Sequence, residues 1–501
     1  MEIFERLTSK TNNPLASFAI GCPEAEGENN SQISIIDVFE DFLGAIQALN
    51  KGAFIISGRK GSGKSAIAEY ILSVVESDAT SFASRINMSD FKIHRMLEVS
   101  NKANIDEAFL IEWVLYTQFA KLLVANESIT NDPLTRPLNH FLRYNVGYVN
   151  ISDAAVDELI ETRGWNLHVG NLIDIAGKME LVNTKEYKKR KPHYYELLPI
   201  LRDVIKEIVF RESQKSNKSE YVIFVDDLDV NANINDRKTI DIIYHLIKIA
   251  RDFNLKYSGI FKVVLLLRSD ISQFIAENYP DSGKIISSYS FFINWYDARQ
   301  FNKDENSIAL KKFINKRIHR CFKTANLPCS QDPWYDLIDV SFAQYHKSSF
   351  EVVLQSTFLR PRDIISFFTK LSECPPKIPI GNDGFDELFL GLADCIFIEV
   401  CNELTFYYDE YGLNVCKAAM QHFSKNDFCA ADFYGFVRKY SGIDSEMLLQ
   451  RFWDYSIIGN IARNDKTTVY FAHRDEQMNM EMDFIIATPI RNHFNRNNLF
   501  Y

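Results

Sequence analysis

The sequence predicts an α/β fold built on a parallel sheet, and three stretches carry that expectation. The first, FIISGRKGSGKSAIAEYIL from Phe54 to Leu72, opens as an apolar strand, breaks into glycine and lysine, and resumes as an amphipathic helix. The second, Tyr221-Val-Ile-Phe-Val-Asp226-Asp227-Leu-Asp229, is an apolar run that ends in acid. The third, Phe261-Lys-Val-Val-Leu-Leu-Leu267, closes on Arg268-Ser269-Asp270. Short continuous apolar runs with polar ends are what strands covered on both faces require.

In the first stretch Ala53 to Ser57 reads as the strand, and helix formers restart from Ala66 to Leu72. Between them, Gly58-Arg59-Lys60-Gly61-Ser62-Gly63-Lys64-Ser65 has the full GxxxxGK[S/T] spacing, with Ala66 next in the helix. Each residue type there has a physical task. Glycines permit positive φ and let backbone N–H groups curl around a phosphate without a side chain in the way. The helix N-terminus adds partial positive charge. Lys64 reaches the β- and γ-phosphates as a point charge, and the Ser65 hydroxyl ligates Mg²⁺.

A phosphate cradle alone hydrolyses nothing. The second stretch supplies carboxylates at the carboxyl edge of a sheet, where ligands of open α/β sheets bind. Asp226 is placed to hold Mg²⁺, directly or through water, and Asp227 to orient and deprotonate the attacking water. Asp229 has two readings, a cap for a helix starting near Asn233 or a lateral contact to the nucleotide. The third stretch suits the strand lying between the other two. Arg268 at its end either senses the γ-phosphate or forms a structural bridge to Asp226 or Asp270. The expected catalytic set is Lys64, Asp227 and Arg268.

VDDLD followed by LLLRSDI resembles the AAA+/STAND and KAP-type P-loop ATPases of the additional-strand class. GRKGSGKSAI, the Trp295 closing a strand-like FFINW, and Thr357-Phe-Leu-Arg360-Pro361-Arg362-Asp363-Ile364 are similar to a bacterial P-loop ATPase family of plasmid, restriction and phage-defence neighbourhoods. The resemblance covers roughly residues 15 to 375. It implies ATP as the nucleotide, and Arg360 or Arg362 as a second sensor reaching it from a helical lid. RPRD also reads as a loop-to-helix start with Pro361 at N1. Asp227 departs from the glutamate of AAA+ motors and agrees with the paired aspartates of STAND proteins, which implies slow turnover and a switch.

The remaining chain is organised around these anchors. Residues 1–72 hold an N-terminal helix, read from ISIIDVFEDFLGAIQAL, and the phosphate-loop strand and helix; the helix is expected to pack on the sheet. Residues 73–215 read as a mainly helical insertion, because IDEAFLIEWVLYTQFAKLLVA and YYELLPILRDVIKEIVF are amphipathic and far too much chain separates the first two motifs. Trp113 is expected in its core. Residues 216–300 complete the sheet core. Residues 301–375 form a helical lid, including SIALKKFINKRIHRCF with its basic residues on a polar face. A Pro-rich break from Cys374 to Gly384 reads as a linker. Residues 385–501 combine helices with two strand candidates, TTVYFAH and MDFIIAT, expected to pair as a hairpin. The full expectation is α/β: a P-loop NTPase parallel sheet core with a helical insertion, a helical lid and a C-terminal winged-helix-like α+β module.

Composition narrows the partners. The 501 residues carry a net charge of −10 and 46% hydrophobic side chains, which excludes a wholly basic nucleic-acid-binding surface. Lys185–Tyr195 and Arg491–Arg496 are local basic stretches, each with a solvated-surface and a nucleic-acid reading. Seven of the eight cysteines follow residue 320, with no CxxC pair, which points away from zinc and disulfides and towards a cytoplasmic protein. No apolar run is long enough for a membrane span and no leader is recognisable, so no membrane is expected. An LSGGQ-like segment and an NKxD motif are missing, which argues against transporter-type ATPases and GTPases.

Two functions follow as expectations. In one, ATP closes the core against the lid, the chain forms a homo-oligomer, and the assembly controls a separate effector protein, a nuclease or other toxin, in antiviral defence. In the other, the chain is an AAA+-type motor or loader acting on DNA or a protein–DNA complex. Arg268, Arg299, Arg360 and Arg362 are all candidates for an arginine finger.

Overall fold

The protein is described by a computed structural model covering residues 20–28, 33–87, 107–145, 170–179, 194–228, 237–297, 304–342, 347–372, 377–462 and 469–495. Two compact units share the chain. One draws on Ala45–Arg59 and Ile67–Phe292, the other on Met1–Gly44, Lys60–Ala66 and Ile293–Tyr501.

The first unit is α/β. Its strands are β1 (Ile55–Gly58), β2 (Ser81–Asn87), β3 (Glu220–Asp226), β4 (Phe261–Arg268) and β5 (Ser290–Phe292). They form one sheet in the order β2-β3-β4-β1-β5, every neighbouring pair parallel. The strand ending in Arg268 therefore lies between the strand entering the phosphate loop and the strand ending in Asp226, as the sequence predicts. β1, β3 and β4 are buried almost throughout, which is why they read as unbroken apolar runs.

Two features of this unit differ from the sequence reading. β2 lies inside the span assigned to a helical insertion, yet it is an edge strand of the sheet, paired with β3 from Ser81↔Glu220 to Asn87↔Asp226. Its SFASRIN has neither strict alternation nor an apolar run, because it is half-buried along most of its length. The expected N-terminal helix is two short ones, Ile35–Val38 and Ala45–Asn50. Phe39 turns extended at ψ 141° and Gly44 adopts φ 79°, so the helical spacing of the apolar residues is interrupted. Only the second of the two belongs to the sheet unit, where it packs on β5.

Helix Glu107–Ala125 packs on β2 and β3 and against helix Arg237–Lys256. Phe119 carries this docking, stacked on Phe261 with ring centroids 3.6 Å apart and near Tyr221 and Phe253. Trp113 is fully buried and edge-on to Phe141, the core position expected of it. By length and composition this helix could cross a bilayer, contrary to the expectation that no segment would, with mean hydropathy 1.4. Its apolar residues are instead taken up by the protein, Leu110, Leu115, Phe119 and Leu123 all being buried. Helix Tyr194–Ser213 packs beside it, and Arg202 pairs with Glu112 and lies over the Tyr116 ring.

The second unit has one continuous core running from Ile308 to Ile490, joined by Ile20, Ile33 and Val38. Trp334 sits in it, edge-on to Phe350 and stacked on Phe367. The Pro-rich stretch is not a boundary between cores. Ile380 is buried and bridged to Ile338, and helix Asn382–Leu404 begins two residues later. Helix Ala309–Thr324 forms as expected, but its cations are not all on a polar face. Lys311 is fully buried between Glu305 and Asp332, and Arg317 is buried against Glu28. Local spacing cannot reveal such pairs, since the partners come from other segments.

At the C-terminal end, β6 (Ile458–Ile461), β7 (Val469–Tyr470) and β8 (Phe484–Ile486) make an antiparallel sheet in the order β7-β6-β8. The two expected strands thus do not pair as a hairpin; each pairs with β6, which the sequence reading missed. Gly459 explains why β6 is quiet in sequence. A Cβ there would meet the Phe471 ring at 2.6 Å and Tyr470 O at 2.7 Å, so close strand approach demands glycine where β-propensity is low.

Candidate nucleotide site

The site is built outward from two sheet ends. β1 ends at Gly58, in register with Arg268 at the end of β4, while Val225 of β3 is level with Leu265. Gly58, Arg268 and Asp226 therefore lie along one carboxyl edge of the sheet. Ser57 is anchored there by a 2.9 Å bond between its hydroxyl and that of Ser272.

Asp226 is buried, and its carboxylate is already engaged. Oδ1 accepts the Asp227 N–H at 2.8 Å and Oδ2 accepts Arg85 Nη2 at 2.7 Å. The other arm of Arg85, Nη1, donates to Glu69 in the helix Lys64–Val75 at 2.7 Å, so one fork joins β2, β3 and this helix. Arg85 was not anticipated. Its only sequence signal is a lone cation inside the neutral run SFASRIN. Asp227 sits at φ 57°, the left-handed region, which Asp tolerates better than Glu or most other residues. Arg268 is paired with Asp270, through Nε at 3.0 Å and Nη2 at 2.5 Å, which is the structural alternative weighed for it. Asp229 and Arg299 lie outside the described residues, as do Lys185–His193 and Arg496.

The turn 60–66 belongs to the helical unit by its contacts. Gly61 and Gly63 adopt φ 77° and 101°. At Gly61 a Cβ would come within 2.9 Å of Arg362 Cβ; at Gly63 the same position opens onto free space. Lys64, Ser65 and Ala66 begin the helix and are partly exposed. Three donors hold the loop's carbonyls: Arg360 Nη1 to Lys60 O at 3.2 Å, the Arg362 N–H to Gly61 O at 3.3 Å, and Trp295 Nε1 to Ser62 O at 2.9 Å. Lys60 adds an ion pair to Glu399 at 3.7 Å.

Arg360 is the N-cap of helix Pro361–Phe367 and Pro361 occupies its first turn, so the loop-to-helix reading of RPRD holds. Arg360 is also fully buried between Asp363 and Glu403. Burial opposes its charge, but the two carboxylates outweigh that and hold its pKa above the ordinary value. Arg362 bonds Pro23 O and Glu399. Arg360 thus reaches Lys60 O with its side chain, whereas Arg362 reaches Gly61 O only through its backbone N–H. Arg491, in the basic C-terminal stretch, is half-buried and donates to Ser424 O, and burial lowers its pKa.

Gly63 borders open space, and the Asp226 carboxylate accepts bonds from Arg85 and from the Asp227 N–H. No cluster of three or more His, Cys, Asp or Glu that could hold a metal occurs among the described residues.

Residues 309–374 match a family model described as the FunZ-associated C-terminal helical domain. That segment coincides with the helices Ala309–Thr324 to Thr369–Ser372 and includes Arg360 and Arg362. No curated protein matches the chain.

Proposed function

We propose that this chain is an ATP-binding, slowly hydrolysing P-loop ATPase that works as a switch, assembling as a homo-oligomer and controlling a separate effector in antiviral defence in the cytoplasm. The observation that carries the reading is the GxxxxGKS turn between β1 and its helix, with Gly61 and Gly63 at positive φ, in a sheet whose next strands end in Arg268 and Asp226. In this reading loop residues Gly58 to Ala66 cradle the triphosphate. Lys64 neutralises the β- and γ-oxygens, and Ser65 and Asp226 hold Mg²⁺, which when bound neutralises charge on the leaving phosphate. Asp227 accepts a proton from the water that attacks the γ-phosphorus, giving ADP and phosphate.

The switch is favoured over the motor by Asp227, whose left-handed backbone keeps a short carboxylate where a motor places glutamate. The segment 301–375 then acts as the lid, and the helices with β6, β7 and β8 as a winged-helix-like module for partner binding. Phosphate release should be measured alone and with single- or double-stranded DNA. The expected turnover is below about 1 s⁻¹, the low end for enzymes, and unchanged by DNA. Strong stimulation by DNA would replace the switch with the motor or loader.

A further inference from the structure

The bonds to Lys60 O, Gly61 O and Ser62 O come from two places in the chain, the turn 360–362 and Trp295, and fall on consecutive peptide groups. In a trans peptide plane the C=O of one residue points opposite to the N–H of the next. Fixing each oxygen therefore aims the N–H of the next residue, Gly61, Ser62 or Gly63, away from the donor that holds it. None of those N–H groups donates to another described residue. Successive amides aimed one way form an anion-binding concavity.

We propose that Trp295 is a positioning residue for the triphosphate: its indole N–H, with the donors of Arg360 and Arg362, presets the loop amides before the ligand arrives. The inference rests on the nucleotide reading and deepens it. Trp295 is suited to the task because its ring is itself held, 6.5 Å from the Phe42 centroid and edge-on to Phe313 at 5.9 Å. The N–H is thus aimed by packing, and Arg360 carries the same constraint through Glu403 into helix Asn382–Leu404. Preset amides spare the ligand the ordering of the loop. Coupling of this kind is reciprocal, so a bound triphosphate must also protect the indole N–H.

The test uses the full chain and inorganic triphosphate with Mg²⁺, which probes the loop without a base or sugar. It compares the parent, Trp295→Phe, and the chain carrying 3-benzothienylalanine at 295, which keeps the indole's shape but has no N–H. Loss of one such bond predicts affinity about five- to tenfold weaker in both variants. The unliganded melting temperature of the benzothienyl variant stays at the parent value, and in the parent triphosphate slows exchange of the Trp295 indole proton. Parent-like affinity in the benzothienyl variant, or an indole proton indifferent to triphosphate, overturns the proposal. A parent that binds neither triphosphate nor ATP overturns the nucleotide reading instead.

Discussion

Arg360→Ala should destabilise the chain by about 3–5 kcal/mol, the cost of stripping one partner from a buried ion pair. Arg360, Asp363 and Glu403 are 2%, 2% and 1% exposed, so the variant leaves two carboxylates facing each other away from water. Asp363 is also committed to the Phe358 N–H at 2.9 Å, which keeps it from turning out to solvent. Arg360→Lys should recover only part of the loss, because an ammonium cannot serve both carboxylates and Lys60 O with one planar fork. Urea unfolding measures both. If Arg360→Ala unfolds at the parent midpoint while nucleotide binding weakens, Arg360 is a nucleotide sensor and its acid pairs are incidental.

Asp227→Asn should lower ATP turnover by about 10²- to 10⁴-fold, the range for losing a general base, while ATP still binds and holds the closed or assembled state. Asparagine is the informative replacement. At φ 57° an alanine would add backbone strain to the lost carboxylate, whereas Asn occupies the left-handed region readily. Single-turnover phosphate release and nucleotide affinity, measured together, separate chemistry from binding. Turnover at the parent rate would remove Asp227 as the base.

The sheet was legible because strands covered on both faces must be continuously apolar, and β1, β3 and β4 announce themselves at Ile55, Tyr221 and Phe261. Glycine spacing gave the loop for the same kind of local reason, since positive φ at Gly61 and Gly63 is a backbone requirement. β2 escaped because a half-buried edge strand needs no apolar run, and β6 because Gly459 is dictated by the strand beside it. The buried pairings of Arg85, Lys311, Arg317 and Arg360 escaped for one further reason. A buried cation looks like a surface cation until its partner is known, and Asp226, Glu305, Glu28 and Glu403 lie on other elements. Trp295 was visible as a residue that closes a strand; its bond to Ser62 O was not.

Calorimetric titration of ATP with Mg²⁺ into the full chain and into Lys64→Ala tests the central claim most directly. The parent should bind saturably, and the variant at least about 100-fold more weakly, as expected for losing charge-assisted bonds to phosphate. Equal affinity in the two chains, or no binding by the parent, would contradict it.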